Sequence, residues 1–289
     1  MPRFLEYFGF PTQVENSAFI TAVKTGDLHK VDQDLRLKKG KSSAIIAKVN
    51  KLYRGKHEGV PYVTMPLIVA VHAGEEKMAE FLIENGANVN AHGGYHNGSA
   101  LHLSTKLGNG NITRTLIRRG ANSNDFDQDG KSSLILAIHN GDVGMVKLLL
   151  ELGADVDRGC VNGRSALDHA VSLSERTPDV AVQIVQALFE KKATVTAREL
   201  HTACFWGTPT LVDVILKQNG IDVNKPLEGD FALHVAVSAG NDRVVNYLVN
   251  EAAVDTTQMD QDGMTALQLS EFLGYVVIQE ILQGFTDFE

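Results

Sequence analysis

Cysteine is nearly absent from this sequence, which holds only Cys160 and Cys204 among 289 residues. Two cysteines cannot build the network of disulfides on which small secreted domains depend, and this fits a reducing compartment. No stretch approaches the about 20 consecutive apolar residues that a membrane-spanning helix needs. The first residues, MPRFLEYFGF, lack the apolar core and the cleavage site of a signal peptide. The sequence therefore predicts a soluble, cytoplasmic protein that does not enter a membrane.

Short motifs that carry catalytic chemistry are missing as well. There is no glycine-rich loop ending in Lys-Ser or Lys-Thr, no H-E-x-x-H, no G-x-S-x-G and no C-x-x-C. The ten histidines do not have the spacing of metal ligands. We therefore expect no enzyme activity, no cofactor and no metal site.

A net positive charge is also absent. Lys and Arg number 27 against 35 Asp and Glu, which gives a formal net charge of −8 and a pI of ≈ 5.7. Such a surface repels phosphate backbones, so nucleic acid is not expected as a partner. The densest group of basic residues, Lys38, Lys39 and Lys41, is short and typical of a solvated turn.

What the sequence does contain is an internal repeat. A leucine-like residue, which we call the anchor, recurs in steps of 33 or 34 residues from Leu67 onward, and Phe19 precedes this series. Each anchor is followed three residues later by Ala or Ser, and seven residues later by Gly in every case except Ser174. The anchors are Phe19, Leu67, Leu101, Leu134, Leu167, Leu200, Leu233 and Leu267.

Each part of the repeat has a physical reason. The anchor lies on a short helix whose Ala or Ser permits close packing on the next repeat, and the glycine ends this helix because it adopts a positive φ at little cost. A second helix follows with apolar residues at helical spacing, such as Met145, Leu148 and Leu149. Segments such as Gly-Ala-Asp-Val-Asp at 153–157 then end that helix and begin a polar connection, which we call a finger.

Over about residues 16–283 this pattern resembles the ankyrin repeat family, whose repeat reads roughly T-P-L-H-x-A-A-x-x-G, then V-V-x-L-L, then G-A-D-V-N. The matching stretches include residues 65–70, 99–104 and 231–236. The resemblance implies an all-α solenoid of helix–turn–helix units with short β-hairpin fingers and about eight repeats, including divergent caps.

The repeat spacing predicts one ankyrin-repeat domain over residues 1–289. Its parts are a divergent N-terminal cap repeat at 1–40, an insertion at 41–64, repeats at 65–98, 99–131, 132–164, 165–197, 198–230 and 231–264, and a C-terminal cap at 265–289.

The insertion is the first departure from the regular repeat. The step from Phe19 to Leu67 is 48 residues, because about 15 residues are added to the usual spacing. Helix-like spacing within it predicts an extra helix covering the edge of the array, through Ile45, Ile46, Val49, Leu52 and Tyr53. A binding element and an elongated connection are both consistent with this pattern.

The second departure lies in the repeat of Leu167. There residues 174–179 lengthen the connection between the two helices, and the second helix is predicted to end near Lys192. Few residues then remain before Leu200, so we expect a shortened finger and a notch in the row of fingers.

Phe205 and Trp206, which we call the aromatic pair, occupy the two variable positions before Gly207 in the next repeat. The resemblance implies that these positions face a concave groove beneath the fingers, where ankyrin proteins bind partners. Trp is enriched at binding hot spots, so the pair is a candidate hot spot for a partner protein. The alternative is that both rings only cover apolar surface that the short finger leaves bare.

Other candidate partner-binding residues fall at corresponding places. His72, Lys106 and His139 lie at groove positions, and Tyr95, Phe126, Arg158 and Arg164 lie on fingers. Three further histidines stand at the histidine of the T-P-L-H motif, where the resemblance implies a structural bond between repeats. These are His102, His201 and His234.

The sequence thus predicts a monomeric, non-catalytic module that binds another protein through its groove and finger tips. The alternative is a small-ligand binding protein or an unusual enzyme with a pocket near the aromatic pair. Cys204 follows His201 by three residues, as a catalytic Cys–His pair can. Since Cys204 occupies a packing position of the repeat, a buried structural cysteine is the favoured interpretation.

Overall fold

The computed structural model describes residues 13–14, 17–36, 42–57, 60–94, 97–218, 220–252 and 254–286. Contacts divide the chain into two compact units, residues 1–163 (unit 1) and residues 164–289 (unit 2). Each unit is a stack of antiparallel helix pairs joined by fingers.

Unit 1 contains nine helices and five short strands in its described part. The helices are α1 (Ala18–Lys24), α2 (Leu28–Arg36), α3 (Ser42–Val49), α4 (Pro66–Ala73), α5 (Glu76–Glu84), α6 (Ala100–Lys106), α7 (Gly110–Arg118), α8 (Ser133–His139) and α9 (Val143–Glu151). The strands are β1 (Gln13–Val14), β2 (Tyr53–His57), β3 (Val60–Thr64), β4 (His92–Gly93) and β5 (Gly98–Ser99).

The described part of unit 2 contains helices and no named strand. The helices are α10 (Ala166–Ser172), α11 (Pro178–Glu190), α12 (Ala197–Trp206), α13 (Pro209–Leu216), α14 (Ala232–Ser238), α15 (Asp242–Asn250), α16 (Ala266–Leu273) and α17 (Val276–Thr286), with a 3₁₀ turn at Leu173–Glu175. Residues 227 and 230, and residues 259 and 265, form isolated β-bridges in two of its fingers.

The anchors form the core, as the repeat predicts. All of them are buried except Leu267 in the last repeat, which is half-buried. The small residue three positions after each anchor is buried too, because the first helices of neighbouring repeats, such as α12 and α14, pack side by side. Each repeat thus supplies an apolar wall to its neighbour within the unit.

The start of the first helix is set by a hydroxyl side chain in several repeats. Ser99, Ser132, Ser165 and Thr265 each accept a hydrogen bond from the backbone N–H three residues later. Such an N-cap stabilises a helix by about 1 kcal/mol relative to alanine. The recurring Ser or Thr two residues before the anchor therefore fixes where each of these helices begins.

The insertion contains the predicted helix and also a small sheet. Helix α3 ends at Val49, and Tyr53 begins β2, which pairs antiparallel with both β1 and β3. The expectation that Leu52 and Tyr53 continue the helix was therefore wrong. Tyr53 is buried and lies opposite Thr64 in the sheet, a non-local pairing that helical spacing does not reveal. In α3 only Val49 is buried, so the helix covers little of the repeat edge.

A row of asparagine side chains, which we call the asparagine ladder, connects successive fingers. In unit 1 the Oδ1 atoms of Asn50, Asn90 and Asn124 accept hydrogen bonds from backbone N–H groups of the following repeat, at 2.7–2.9 Å. In unit 2, Asn224 accepts from the N–H of Asp255 at 2.8 Å. Asn50 is the first member of the ladder among the described residues, so the ladder links the insertion to the repeat that follows it.

Candidate protein-binding surface

The aromatic pair forms the last two residues of α12. Phe205 is 39% exposed and Trp206 is 48% exposed, and their rings meet edge to face with centroids 4.6 Å apart. The packing of one ring on the other leaves a large fraction of both accessible to solvent. The pair therefore presents an apolar, preformed surface at the end of a helix.

The short finger determines how this helix is built. Residues 191–196 alone separate α11 from α12, whereas residues 217–231 and 251–265 form the next two fingers. The helix begins early as a result, because Thr196 caps it and the Glu199 carboxylate accepts from the Thr196 N–H at 2.9 Å. The predicted shortening of the finger is thus seen, together with a connection of residues 173–177 between α10 and α11.

Gly207 ends α12 differently from the glycines at the equivalent places. Gly74 and Gly240 have φ values of 75° and 67°, as the repeat predicts, but Gly207 has φ −89° and an extended ψ. A Cβ at Gly207 would collide with the carbonyl oxygen of Ala203. The glycine is needed here for close backbone approach, and the expectation of a positive φ was wrong at this position.

Cys204 and His201 lie on the buried side of α12. Burial raises the pKa of the Cys204 thiol far above its ordinary value, and burial lowers the pKa of His201. A nucleophilic cysteine needs the opposite, a thiol pKa lowered by a nearby cation. The geometry therefore supports the packing interpretation of Cys204.

The motif histidines only partly follow the predicted role. His102 lies 3.1 Å from the backbone N–H of Ser99 and 3.1 Å from the carbonyl of Asp125, and His234 lies 3.0 Å from the carbonyl of Met264. The Nε2 atom of His201, by contrast, is buried without a hydrogen-bond partner among the described residues. The prediction was wrong for His201 in this respect.

The early start of α12 also changes the capping arrangement around its histidine. In α6 the third helical residue is His102, and it shares a capping box with Ser99. In α12 the third residue is Glu199, which takes that place beside the cap Thr196. His201 therefore comes five residues after its cap, whereas His102 comes three residues after Ser99.

The groove-position candidates of unit 1 lie at the ends of successive first helices. His72 is half-buried near the end of α4, His139 is exposed at the end of α8, and Lys106 ends α6. Burial lowers the pKa of Lys106, although the carboxylates of Asp127 and Asp129 act in the opposite direction. The three side chains give unit 1 a polar character at these positions.

Two finger candidates of unit 1 are in mutual contact. The Arg158 guanidinium lies 4.5 Å from the centroid of the Phe126 ring, a cation–π geometry across neighbouring fingers. Phe126 is half-buried and Arg158 is exposed. Tyr95 lies outside the described residues.

Arg164 is engaged within unit 2. Its guanidinium lies 2.9 Å from the carboxylate of Asp168 and donates to the hydroxyl of Ser172 at 2.8 Å. Asp168 stands where the motif has histidine and is only 5% exposed. Arg164 thus neutralises a nearly buried carboxylate, and its contribution to partner binding stays a prediction.

Three features were not anticipated from the sequence. His92 and Asp125 form an ion pair at 2.7 Å between neighbouring fingers of unit 1. Val161, also in unit 1, is 74% exposed beside Gly130. In unit 2 a group of apolar residues is exposed around the turn between α16 and α17. The sequence does contain a signal for this apolar group, because Phe272 and Leu273 occupy the same repeat positions as the aromatic pair.

Other kinds of site have little support in the described part of the chain. No group of three or more His, Cys, Asp or Glu side chains there is arranged to hold a metal ion. None of the helices described combines the length and apolar character needed to cross a membrane. A cavity of ≈ 450 Å³ lies near α1 and α3 in unit 1, where the Lys48 ammonium is 2.7 Å from the Asp34 carboxylate and 4.7 Å from the Phe19 ring centre.

Comparison with known families decides the identity of these helix pairs. The family model described as ankyrin repeats, in three copies, matches residues 44–127, 101–199 and 200–286. The chain belongs to the ankyrin repeat family. The predicted all-α ankyrin fold is thereby confirmed, and ankyrin repeats generally mediate protein–protein interaction.

Two curated relatives match part of this chain. Human transient receptor potential cation channel subfamily A member 1 is 30% identical over 202 residues, which are 67% of this chain and 18% of the channel. Mouse ankyrin repeat and SOCS box protein 6 is 32% identical over 115 residues, 39% of this chain and 28% of that protein. The chain thus spans less than a third of the length of either relative.

A solved structure is similar over most of the chain. The human ASB11 ankyrin repeat domain aligns with a TM-score of 0.59 at 24% identity and covers 77% of this chain and 98% of that domain. At this identity the similarity concerns the ankyrin fold alone.

Proposed function

We propose that this ankyrin-repeat chain is a non-catalytic cytoplasmic module that binds another protein through its groove and finger tips. The aromatic pair is proposed as the apolar hot spot of this surface. The observation that carries the proposal is the exposure of both rings, 39% and 48%, on a helix end where ankyrin repeats typically contact partners. Large aromatic side chains that lose water on binding dominate the energetics of protein interfaces.

The neighbouring geometry supports a rigid binding element. The pair ends a helix with its own capping box, and Gly207 continues the chain in an extended conformation. Asn241 of the next repeat holds the carbonyls at this helix end by hydrogen bonds. A preformed surface of this kind loses little conformational entropy when a partner binds.

Polar candidates in unit 1 are proposed as a second set of contacts. At the ends of the first helices, polar specificity is proposed to come from His72, Lys106 and His139. On the fingers, the stacked side chains of Phe126 and Arg158 are proposed to contact the partner together. Arg164 in unit 2 is proposed to contribute through the part of its side chain that stays exposed. We expect the chain to act as a monomer and without a cofactor.

The test is capture of a partner by purified protein. Phe205→Ala combined with Trp206→Ala should reduce the affinity for the captured partner about 30-fold or more, since hot-spot truncations cost about 2 kcal/mol or more. Val161→Ala is the matched control, because it removes an even more exposed apolar side chain from a finger of unit 1. Unchanged capture by the double variant, with its helical circular dichroism intact, would contradict the proposal.

A further inference from the structure

Five apolar side chains are exposed at the turn that joins α16 to α17. They form what we call the terminal patch, and they are Phe272, Leu273, Tyr275, Val276 and Val277. Phe272 is 78% exposed and Val276 is 62% exposed. The previous repeat has small or polar residues at the same places, Ser238, Ala239, Asn241, Asp242 and Arg243. Neighbouring large apolar side chains that are exposed together are typical of an interaction site.

The terminal patch is distinct from the face by which one repeat packs on the next. Helices α14 and α15 pack on α16 and α17 of the last repeat, and their buried residues include Val237, Val245 and Val249. Their equivalents in α16 and α17 are polar, namely Glu271, Gln279 and Gln283. The face on which a further repeat would stack is thus polar, whereas the apolar residues lie at the turn between the helices.

The charged residues of the segment that carries the patch are all acidic. Residues 244–289 contain eight Asp and Glu and no Lys, Arg or His. The remaining 243 residues therefore hold 27 acidic residues (35 − 8) against 27 basic ones, so the formal charge of −8 resides in this last segment. Glu271 precedes Phe272 directly and Glu280 lies one helical turn after Val276, so carboxylates flank the patch on both helices.

We propose that the terminal patch binds a segment of a partner protein that presents apolar side chains flanked by lysine or arginine. Burial of the apolar side chains supplies the affinity, and attraction between the basic flanks and the carboxylates orients and accelerates the encounter. An amphipathic helix with a basic polar face has this composition.

Charge also argues against other occupants of the patch. A second copy of this chain would bring two sets of carboxylates together, which costs free energy at short distance. An anionic lipid surface would be repelled for the same reason. The terminal patch consists of other residues, two repeats beyond the aromatic pair, so this inference goes beyond the proposed function and is tested separately from it.

The experiment uses the full chain and synthetic peptides as probes. A fluorescently labelled helical peptide with leucines on one face and lysines on the other is titrated by anisotropy. Two matched peptides are titrated alongside it, one with glutamate for lysine and one with serine for leucine. We expect only the leucine–lysine peptide to bind, with an affinity that falls as salt is added, because screening weakens attraction between exposed charges.

Two variants locate the peptide on the chain. Phe272→Ser with Val276→Ser should weaken binding about 10-fold or more, because two exposed apolar anchors are lost. Glu271→Lys with Glu280→Lys should weaken the leucine–lysine peptide and allow the leucine–glutamate peptide to bind. Val161→Ser, an equally exposed apolar residue in unit 1, should change nothing. Phe272 and Val276 are both exposed, so their replacement should not unfold the helices. If circular dichroism shows lost helix in Phe272→Ser with Val276→Ser, the single variant Phe272→Ser is used instead.

Several results would overturn the inference. One is peptide binding that Phe272→Ser with Val276→Ser does not weaken, and another is equal binding of the leucine–glutamate peptide. A dimer in light scattering that the double serine variant abolishes would assign the patch to a second copy. Binding to phosphatidylserine vesicles that the same variant abolishes would assign it to a membrane. None of these results bears on Phe205→Ala with Trp206→Ala, whose effect on partner capture tests the proposed function separately.

Discussion

The side-chain amide of Asn241 donates to the carbonyl oxygen of Gly207 at 3.0 Å and to that of Cys204 at 3.3 Å. The carboxamide oxygen of the same residue accepts from the N–H of Val244 and caps α15. One side chain therefore ties the start of α15 to the end of α12, where the aromatic pair lies. A similar bond in unit 1 joins Asn140 to the carbonyl of Lys106 at 3.2 Å.

We predict that Asn241→Asp lowers both stability and partner affinity. Aspartate keeps the capping oxygen but replaces the amide donor by an oxygen that faces two carbonyls, which costs about 1–3 kcal/mol of unfolding free energy. Urea unfolding and partner titration measure the two effects. Asn140→Asp is the matched comparison for stability, since it removes the same kind of bond in unit 1 and should cost a similar unfolding free energy. Wild-type stability of Asn241→Asp would contradict the argument.

Gly207→Ala is predicted to destabilise the protein, although the φ of −89° suits any residue. The new Cβ would collide with the backbone carbonyl of Ala203, and the chain can relieve this only by moving the end of α12. We expect a loss of about 1–3 kcal/mol, as for other overpacked sites. Gly144→Ala within α9 should instead stabilise by roughly 0.5–1 kcal/mol, because its Cβ meets only an ordinary contact of 3.4 Å. Thermal unfolding of both variants gives the comparison, and equal effects would refute it.

The His92–Asp125 pair predicts a pH dependence. Partial burial lowers the pKa of His92, but its bonds to Asp125 and to the carbonyl of Asn97 raise it by more. The pKa of His92 is therefore raised above its ordinary value. Burial likewise raises the pKa of Asp125, whereas the bonds from His92 and from the Phe126 N–H lower it more, so that the net pKa is lowered. The pair is therefore charged on both sides over a wider pH range than the separate groups.

The sign of the effect follows from these two directions. The stability gained from His92 is fully present below about pH 6.5, its value in an unfolded chain, and is lost as pH rises through the raised pKa of the folded state. The stability gained from Asp125 is present above about pH 4 and is lost as pH falls through its lowered pKa. Urea midpoints of the wild type and His92→Gln should thus differ most between these values and converge at alkaline pH. A constant difference across this range would exclude the ion pair as its cause.

The Arg164–Asp168 pair predicts a rescue. Arg164→Met leaves a nearly buried carboxylate without its guanidinium partner and should cost about 1–3 kcal/mol, less than a fully buried pair because Arg164 is partly exposed. Adding Asp168→His should restore most of this loss, since His102 occupies the same place in α6 beside the cap Ser99. A double-mutant cycle in urea measures the coupling. Additive losses would show that the two side chains do not depend on each other.

The sequence predicted the architecture well because the repeat is enforced locally. Anchors such as Leu101 and Leu134 are buried, and the Ser or Thr before them caps the first helix, so spacing and chemistry agree in each repeat. The short finger was predictable for the same reason, since it is a matter of counting residues between helices. Partner-binding roles of the candidate residues stay predictions.

Two of the misses concern contacts with residues distant in sequence. Tyr53 follows α3 at helical spacing, but its antiparallel pairing with Thr64 across a hairpin decides its conformation. His201 matches the motif in sequence, yet its Nε2 meets no carbonyl in the described part of the following finger, unlike the Nε2 atoms of His102 and His234. The terminal patch could be recognised only from the exposed fractions of its side chains. The repeat spacing places Phe272 at a variable position but does not tell whether the side chain is buried there.

The asparagine ladder also determines how disturbance spreads through each unit. Asn90 donates to the carbonyl of Gly120 and accepts from the N–H of Asn122, so its bonds reach only the adjoining finger. Order is thus passed from one repeat to the next and no farther, as in a chain of nearest-neighbour couplings. A defect at one finger would be felt as local fraying of its neighbours, while more distant repeats of the same unit keep their amide protons protected from exchange.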